Sequence, residues 1–506
     1  MGVNVGQILR QTALRRPNEV AIVELGRTRS EVSYGDLDAG ALRVAAALLS
    51  GGLAPGARVA LFAGNGRAFV ESFFGIVYAG MTVVPLPTVL PAPEVSRRLA
   101  HARCEALLHD DPRYEIAAQA IEELGREIPQ FELEGLGLGT LPAERPVDTT
   151  PGDAAMILYT SGTVAGAKGA VITHASLALH TAALVHHTLR LTDENRVLGV
   201  LPLTHSFGLR MAILAPFYAG ARAVLMPHFE AKAVLDAIDG EEVTWLPVVP
   251  TMLAAFEREP AREQPKHLAW CLSAGAPLSD DLCARAEARL GCEVRQGYGL
   301  TEATFSTIDA PPAAKSPGSV GRPVWGVEVR VVDGDGNDMT VGEAGEVRVR
   351  GQNVMAQYLD DDAATLAATP GGWLTTGDVG LLGGDGVLTI VDRLKDVVIR
   401  GGNNVYPSEV EAAIACHEAV AEVAVVGRPD DYYGEEVVAV VVVRAGENPS
   451  PEEIVKVAVG RLPVTSLPRE VAFVGALPIG PSGKVLKREL RRLLGKGELT
   501  TTKVGD

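Results

Sequence analysis

Cysteine is scarce in this 506-residue chain: there are 5, at positions 104, 271, 283, 292 and 416. None forms a C-x-x-C pair and the number is odd, which argues against a disulfide framework and for a reducing compartment. The thiols read as buried apolar residues, not ligands. Basic charge is also in deficit. Lys and Arg total 46 against 63 Asp and Glu, for a formal net charge of -17, which excludes nucleic acid as the main partner because phosphate backbones are bound through basic surfaces. No uncharged apolar run reaches the ~18 residues needed to cross a bilayer, and the first residues, MGVNVGQILRQTALRRPNEV, lack the apolar core of a secretory signal. Gly6 breaks the myristoylation pattern. A soluble, cytoplasmic protein is expected.

A mass of 53.2 kDa exceeds the size at which single cores stop growing, so two or more domains are expected. Apolar runs such as RVALFAG (58 to 64), AVLMP (223 to 227) and VTWLPVV (243 to 249) alternate with alanine-rich stretches such as LDAGALRVAAALLS. That alternation predicts α/β layers. Two Gly- and Pro-rich segments, 132 to 153 and 309 to 323, read as long connections. No internal repeat is visible. Beyond about residue 395 a small α+β unit is predicted: YPSEVEAAIA opens a helix on Pro407, EVAVVG and VVAVVVV are strands, and Ser450-Pro451-Glu452-Glu453 has the form of a capping box.

The segment Tyr159 to Ala170, YTSGTVAGAKGA, carries the clearest chemistry. Hydroxyls at Thr160, Ser161 and Thr163, glycines at 162, 166 and 169, and the amine of Lys168 supply donors, close backbone approach and positive charge for a polyphosphate. It is not the G-x-x-x-x-G-K-[ST] loop, since Ala167 and Gly169 stand where that pattern needs glycine and a hydroxyl. Its flanks, MILYT and GAVIT, are short β-favouring runs, so the loop is predicted to join two strands and not to open a helix.

Four more segments add to it. QGYGLTEAT (296 to 304) offers Glu302, suited to a Mg²⁺ held by one carboxylate plus substrate phosphates. WLTTGDVG (373 to 380) offers Asp378, whose oxygens would accept from a ribose diol. VDRLKDVVIRGGNNVYPSEVE supplies Arg393, and PIGPSGKVLKREL presents Lys484 after a turn. Taken singly, each is as well read as a solvated side chain. In this order and at these separations, the set resembles the AMP-forming adenylating superfamily of acyl-CoA synthetases, adenylation domains and luciferases, over essentially the whole chain.

The resemblance implies a large multi-subdomain N-terminal domain of layered mixed sheets, residues 1–393, and a small mobile α+β domain, residues 394–506, swinging about Lys395 of DRLKD. The family loop is usually [YF]-T-S-G-[ST]-T-G-x-P-K-G; Tyr159, Thr160, Ser161, Gly162, Thr163, Lys168 and Gly169 are kept, while Val164, Ala165 and Ala167 depart from it. One hydroxyl donor is lost, a cost of roughly 1.5 to 3 kcal/mol, so slow or ATP-demanding adenylation is expected. By the same resemblance Gly275, Ala276 and Pro277, with Tyr298 and Gly299, line the adenine site, Thr301 contacts the α-phosphate, Glu302 positions Mg²⁺, Asp378 and Arg393 hold the ribose, and Lys484 bridges the acyl carboxylate and α-phosphate. Thr163, Lys168, Glu302 and Lys484 are the expected catalytic residues, and Gly401 and Gly402 leave room for a pantetheine arm.

The segment VLGVLPLTHSFGLRMAILAPFYAGARAVLMP resembles the family's acyl-pocket region, with His205 and Phe207 at its mouth; His205 reads as a gate in preference to a packed core histidine. No aspartate stands in THSFGLRM to hold an ammonium group, and Phe207, Leu209, Met211 and Val248 offer no charge partner. An apolar acid, fatty or aryl, is expected, with ATP, Mg²⁺ and CoA. GGNNVYPSEVE is closer to CoA ligases than to peptide synthetases, and no carrier domain follows Asp506. Two other readings are a stand-alone enzyme loading an acyl-carrier protein, and an adenylation-impaired binder of acyl-adenylate or CoA, the latter suggested by Val164, Ala165 and Ala167.

Overall fold

The computed structural model describes residues 4–136, 146–160, 168–479 and 485–504. Ser161, Gly162, Thr163 and Lys484 lie outside the described residues, as do Val164, Ala165 and Ala167. The chain divides into two compact units, one of residues 1–329 and 349–374 and one of residues 330–348 and 375–506.

The α/β expectation holds in the first unit. Short runs such as Arg58–Phe62, Thr82–Pro85 and Ala106–His109 are almost wholly buried and pair in parallel, as strands covered on both faces do. They belong to a seven-stranded sheet that ends in the hairpin Ala154–Tyr159 and Gly169–Thr173 and the two-residue strand Gln357–Tyr358. The predicted pair of strands flanking the phosphate loop is therefore present. A nine-stranded sheet carries Trp245–Val248, Trp270–Ala274 and Glu293–Leu300 as parallel neighbours, followed by the antiparallel return Ala303–Ile308. Buried positions on the central strands of these sheets are mostly Val, Leu, Ile and Ala, because both faces there exclude water, whereas the edge strand Arg29–Ser33 is largely exposed.

In the second unit, a four-stranded sheet made mostly of its residues contains the antiparallel pair Leu374–Leu382 and Leu388–Arg393. Residues 330–348 and 375–393 fall with the C-terminal residues, whereas the sequence places a boundary at 393/394. The second sheet of this unit is built on Gly434–Val443, which pairs with Val420–Asp430 and Glu470–Val474. The period-2 rule is legible there: Val437, Ala439 and Val441 enter one core with Val410 and Ile414, while Val438 and Val440 enter another with Leu490 and Leu494. Pro407 opens the helix Pro407–Ile414, and Ser450 and Glu453 form the reciprocal capping box that the sequence predicts.

Three cysteines are buried as expected, but Cys292 is half-buried and Cys416 exposed. Cys416 follows the last turn of Pro407–Ile414 and faces the Arg461 guanidinium at 2.9 Å, so the uniform reading of the thiols as core residues fails there.

Candidate active site

The segment expected from the sequence to hold phosphates is anchored at its neck, where it leaves its two strands. Tyr159 pairs with Gly169 across the hairpin, Thr160 N–H donates to the Lys168 carbonyl at 3.0 Å, and Lys168 N–H donates to Thr160 Oγ1 at 3.3 Å. A Cβ at Gly169 would lie 3.0 Å from Ile157 and 3.3 Å from Leu359, so the neck admits no side chain there without movement. Lys168 is exposed, and its ammonium sits 4.7 Å from the centre of the Tyr358 ring, a cation–π contact.

Tyr358 ties this loop to Glu302. Its hydroxyl donates to Glu302 Oε1 at 2.8 Å, and burial, with the neighbouring carboxylate, raises its pKa. Glu302 lies in the turn between Glu293–Leu300 and Ala303–Ile308 and is fixed by Met355 N–H donating to its carbonyl at 2.7 Å. Lys168, Tyr358 and Glu302 thus form one chain of contacts. Sequence reasoning named the first and third and missed the second, because a lone tyrosine in a two-residue strand leaves no pattern. The half-buried Glu302 carboxylate keeps one oxygen outside that hydrogen bond, which fits a divalent cation held mainly by substrate oxygens. Among the described residues no cluster of three His, Cys, Asp or Glu side chains could hold a metal alone.

The expected adenine residues fall beside one another. Gly275, Ala276 and Pro277 follow the strand Trp270–Ala274, and Tyr298 and Gly299 end its parallel neighbour, with Ala274 paired to Gly297. Crevices outside the carboxyl ends of parallel strands are where open α/β sheets take ligands. Gly275 has φ +85°, a region open chiefly to glycine. At Gly299 a Cβ would meet the Phe305 backbone nitrogen at 2.3 Å, so only glycine lets the hairpin close. Thr301 is half-buried in the same turn as Glu302.

In the segment expected to line the acyl pocket, His205 is exposed and Phe207 buried. His205 Nδ1 accepts from Phe207 N–H at 3.2 Å, which leaves the proton on Nε2 when the ring is neutral; it is not a packed core histidine. The Phe207 ring lies edge-on to that of Phe305, 5.1 Å between centres, and the Phe305 carbonyl accepts from His180 Nε2 at 3.1 Å. Phe305 has φ +45°, unusual for a bulky residue. Arg210, three residues beyond Phe207, is 2 % exposed; the search of this segment for an aspartate passed over it.

In the second unit, Asp378 and Arg393 are cross-strand partners, with Arg393 Nε donating to Asp378 Oδ1 at 2.6 Å. Asp378 is buried and Arg393 exposed. Lys395 is exposed in the short turn Leu394–Asp396, where Arg491 holds Asp396 at 2.7 Å. Gly401 and Gly402 have φ +56° and +82°. Their turn is held from one side by Arg400, buried, bonded through Nε and Nη2 to the two oxygens of Glu436 at 2.6 and 3.2 Å and stacked 4.3 Å from the Tyr433 ring. Gly401 N–H also donates to the Tyr433 carbonyl at 2.8 Å. A cavity of about 250 Å³ beside Cys283, Glu287 and Lys315 includes none of the catalytic, nucleotide-binding or acyl-pocket residues expected from the sequence.

Two family models match the chain: AMP-binding enzyme over residues 9–359 and AMP-binding enzyme C-terminal domain over residues 409–484. The chain belongs to the AMP-binding enzyme family. It is 36% identical to a feruloyl-CoA synthase of Amycolatopsis sp, covering 92% of this chain and 94% of that protein, and 35% identical to a fatty acid–[acyl-carrier-protein] ligase of Streptomyces coeruleorubidus, covering 95% and 94%. The solved structure of ATP-bound MatB from Rhodopseudomonas palustris superposes with a TM-score of 0.91 at 30% identity, covering 97% and 99%. The protein is an AMP-forming acid–thiol ligase of the acyl-CoA synthetase type. Among the described residues no helix is long and apolar enough to cross a membrane.

Proposed function

We propose that this ligase activates a carboxylic acid with a largely apolar body, fatty or aryl, and transfers it to CoA. In the first half-reaction a carboxylate oxygen of the acid attacks the α-phosphorus of ATP and pyrophosphate leaves, giving acyl-AMP. In the second, the CoA thiolate attacks the acyl carbonyl and AMP leaves, giving acyl-CoA. The observation that carries this reading is the chain of contacts from Lys168 through Tyr358 to Glu302, which draws a cation and a carboxylate to the neck of one glycine-rich loop.

The charge problem sets the roles. An anion attacking a polyanion must be met by fixed positive charge, and preorganised donors do this without reorganisation at the moment of reaction. Lys168, with Thr160, Ser161, Gly162 and Thr163, holds the phosphates; Gly275, Ala276, Pro277, Tyr298 and Gly299 accept the adenine; Thr301 faces the α-phosphate; and Asp378, oriented by Arg393, accepts from the ribose hydroxyls. Glu302, with Tyr358 donating to its other oxygen, holds Mg²⁺, which neutralises phosphate charge when bound. Lys484 bridges the attacking carboxylate and the α-phosphate. Residues 394–506 then turn about Lys395, withdrawing Lys484 and bringing in the glycine turn at 401 and 402, past which a slim thiol arm passes. His205 gates the acyl mouth above Phe207.

The names of the two relatives, one a feruloyl-CoA synthase and one a fatty acid ligase, support an aryl or fatty acyl group, and the second also supports an acyl-carrier protein as the alternative acceptor. The free thiols and the need for ATP and CoA favour the cytoplasm. ATP–pyrophosphate exchange across aliphatic, aromatic and amino acids, followed by mass analysis with CoA and with a phosphopantetheinylated carrier protein, tests the proposal. Exchange with an apolar acid and a thioester on CoA are expected. Thioester on the carrier alone would transfer the function to carrier loading; ligand binding with no exchange would reduce the protein to a binder.

A further inference from the structure

Arg210 is the least comfortable charge among the described residues. It sits in an apolar run, after the helical turn Ser206–Leu209 and at the start of the wide turn Arg210–Leu214, all of whose residues are buried. Removing a guanidinium from water costs several kcal/mol unless an opposite charge accompanies it. Here no Asp or Glu among the described residues pairs with it. Its bonds run from Nη1 to the Leu177 carbonyl and to Thr181 Oγ1, both at 3.2 Å, and these neutral acceptors already bond each other at 2.7 Å. Nε, fully enclosed, has no hydrogen-bond partner. Burial alone pulls the guanidinium down to about 9.

The neighbourhood repeats the pattern. His180, fully buried, spends Nε2 on the Phe305 carbonyl, while its Nδ1 has no partner. Burial first, and then Arg210, hold its imidazole neutral. The location is specific as well. Phe207 and Arg210 are three residues apart on one helical face, and Phe207 packs on Phe305, the residue that holds His180.

We propose that Arg210 reads an anionic oxygen, namely a second carboxylate, at the distal end of the acyl substrate. The inference rests on the reading of Phe207 as a wall of the acyl pocket. Neutral acceptors are already supplied by the helix above, so a hydroxyl or carbonyl on the substrate would leave the charge uncompensated; a carboxylate offers both charge and an acceptor for Nε–H. Apolar walls with one cation select a dicarboxylic acid whose body is apolar, and they disfavour its monocarboxylic counterpart, which leaves the guanidinium desolvated and alone.

The test compares matched pairs: hexanedioic with hexanoic, octanedioic with octanoic, and benzene-1,4-dicarboxylic with benzoic acid, in ATP–pyrophosphate exchange by wild type, Arg210→Met and Arg210→Lys, each checked by thermal melting to be folded. Wild type is expected to favour one or more of the dicarboxylates at least tenfold in kcat/KM. Arg210→Met should reverse that preference and Arg210→Lys restore part of it, with the KM for ATP unchanged in all three. Equal or better turnover of monocarboxylates by wild type, or an unaltered ratio in Arg210→Met, overturns the proposal while leaving the ligase reading intact. Absence of exchange with every acid, in wild type as in the variants, overturns the ligase reading and this inference with it.

Discussion

The phosphate side and the acyl side of the first unit treat positive charge in opposite ways. Lys168 is exposed, lies over the Tyr358 ring and is linked through that ring's hydroxyl to Glu302; water and neighbours share its charge, so an incoming phosphate exchanges one favourable setting for another. Arg210 is enclosed among neutral partners with an N–H unused. The first arrangement suits a substrate that every turnover binds and releases. The second stores an unfavourable interaction that only the right ligand relieves, which is how specificity is obtained at the expense of stability.

The largest expected effect lies outside this pair of regions and shows what both serve. Lys484→Ala should lower pyrophosphate exchange by about a hundredfold or more, the scale for losing one preorganised charge contact in a transition state, while thioester formation from supplied acyl-AMP changes by less than about threefold. Equal loss in both half-reactions, measured separately, would remove Lys484 from the adenylation step. Lys395→Pro should act in the reverse sense, sparing exchange and suppressing CoA-dependent turnover.

Tyr358→Phe breaks the phosphate side alone. It deletes the donor to Glu302 and keeps the ring under Lys168, so kcat/KM for Mg·ATP should fall about tenfold, the lower part of the range for a hydrogen bond to a charged group, with dicarboxylate preference untouched. A change in acid preference would mean that the two sides are not separate. The smallest effect is expected from restoring the loop: Val164→Thr with Ala165→Gly and Ala167→Pro should lower the KM for ATP severalfold or speed exchange, and no change in either would show that the missing hydroxyl is not limiting.

Much of the fold was legible because it rests on local rules. The runs MILYT and GAVIT became the expected hairpin around the loop, Ser450 with Glu453 formed its capping box, and the valine-rich 434–443 run became a strand buried on both faces. Asp378 and Arg393 could be named separately; that they are cross-strand partners follows from a register that spacing alone does not fix. Tyr358, Arg400 and His180 escaped notice for a common reason. Each acquires its role from what tertiary packing puts against it, and a single tyrosine, arginine or histidine carries no period. Arg210 did leave a trace, a lone cation inside LRMAIL, but whether such a residue points to water or into the core is decided by the fold.

The pH dependence of Arg210 follows from its lowered pKa. Between about 9 and its ordinary value the unfolded chain holds a proton that the folded one has released, so this residue's contribution to stability rises with pH through that window. Below about 9 the penalty of the buried charge is present in full. His180, the titratable group facing it, stays neutral throughout. In the comparison of wild type with Arg210→Met, groups common to both cancel. The melting temperature of the ligand-free variant should exceed that of wild type at pH 7, since an apolar side chain of similar length removes an unpaired buried charge, and the gap should narrow above pH 9.

That same pair of proteins gives the most direct test of the claim that the acyl side stores an unpaired charge for its ligand. Melting is followed at pH 7 without ligand and then with a saturating dicarboxylic acid from the favoured pair. The account predicts that Arg210→Met melts several degrees above wild type when empty and that only wild type gains stability from the acid. A variant less stable than wild type when empty, together with equal stabilisation of both by the acid, would contradict it.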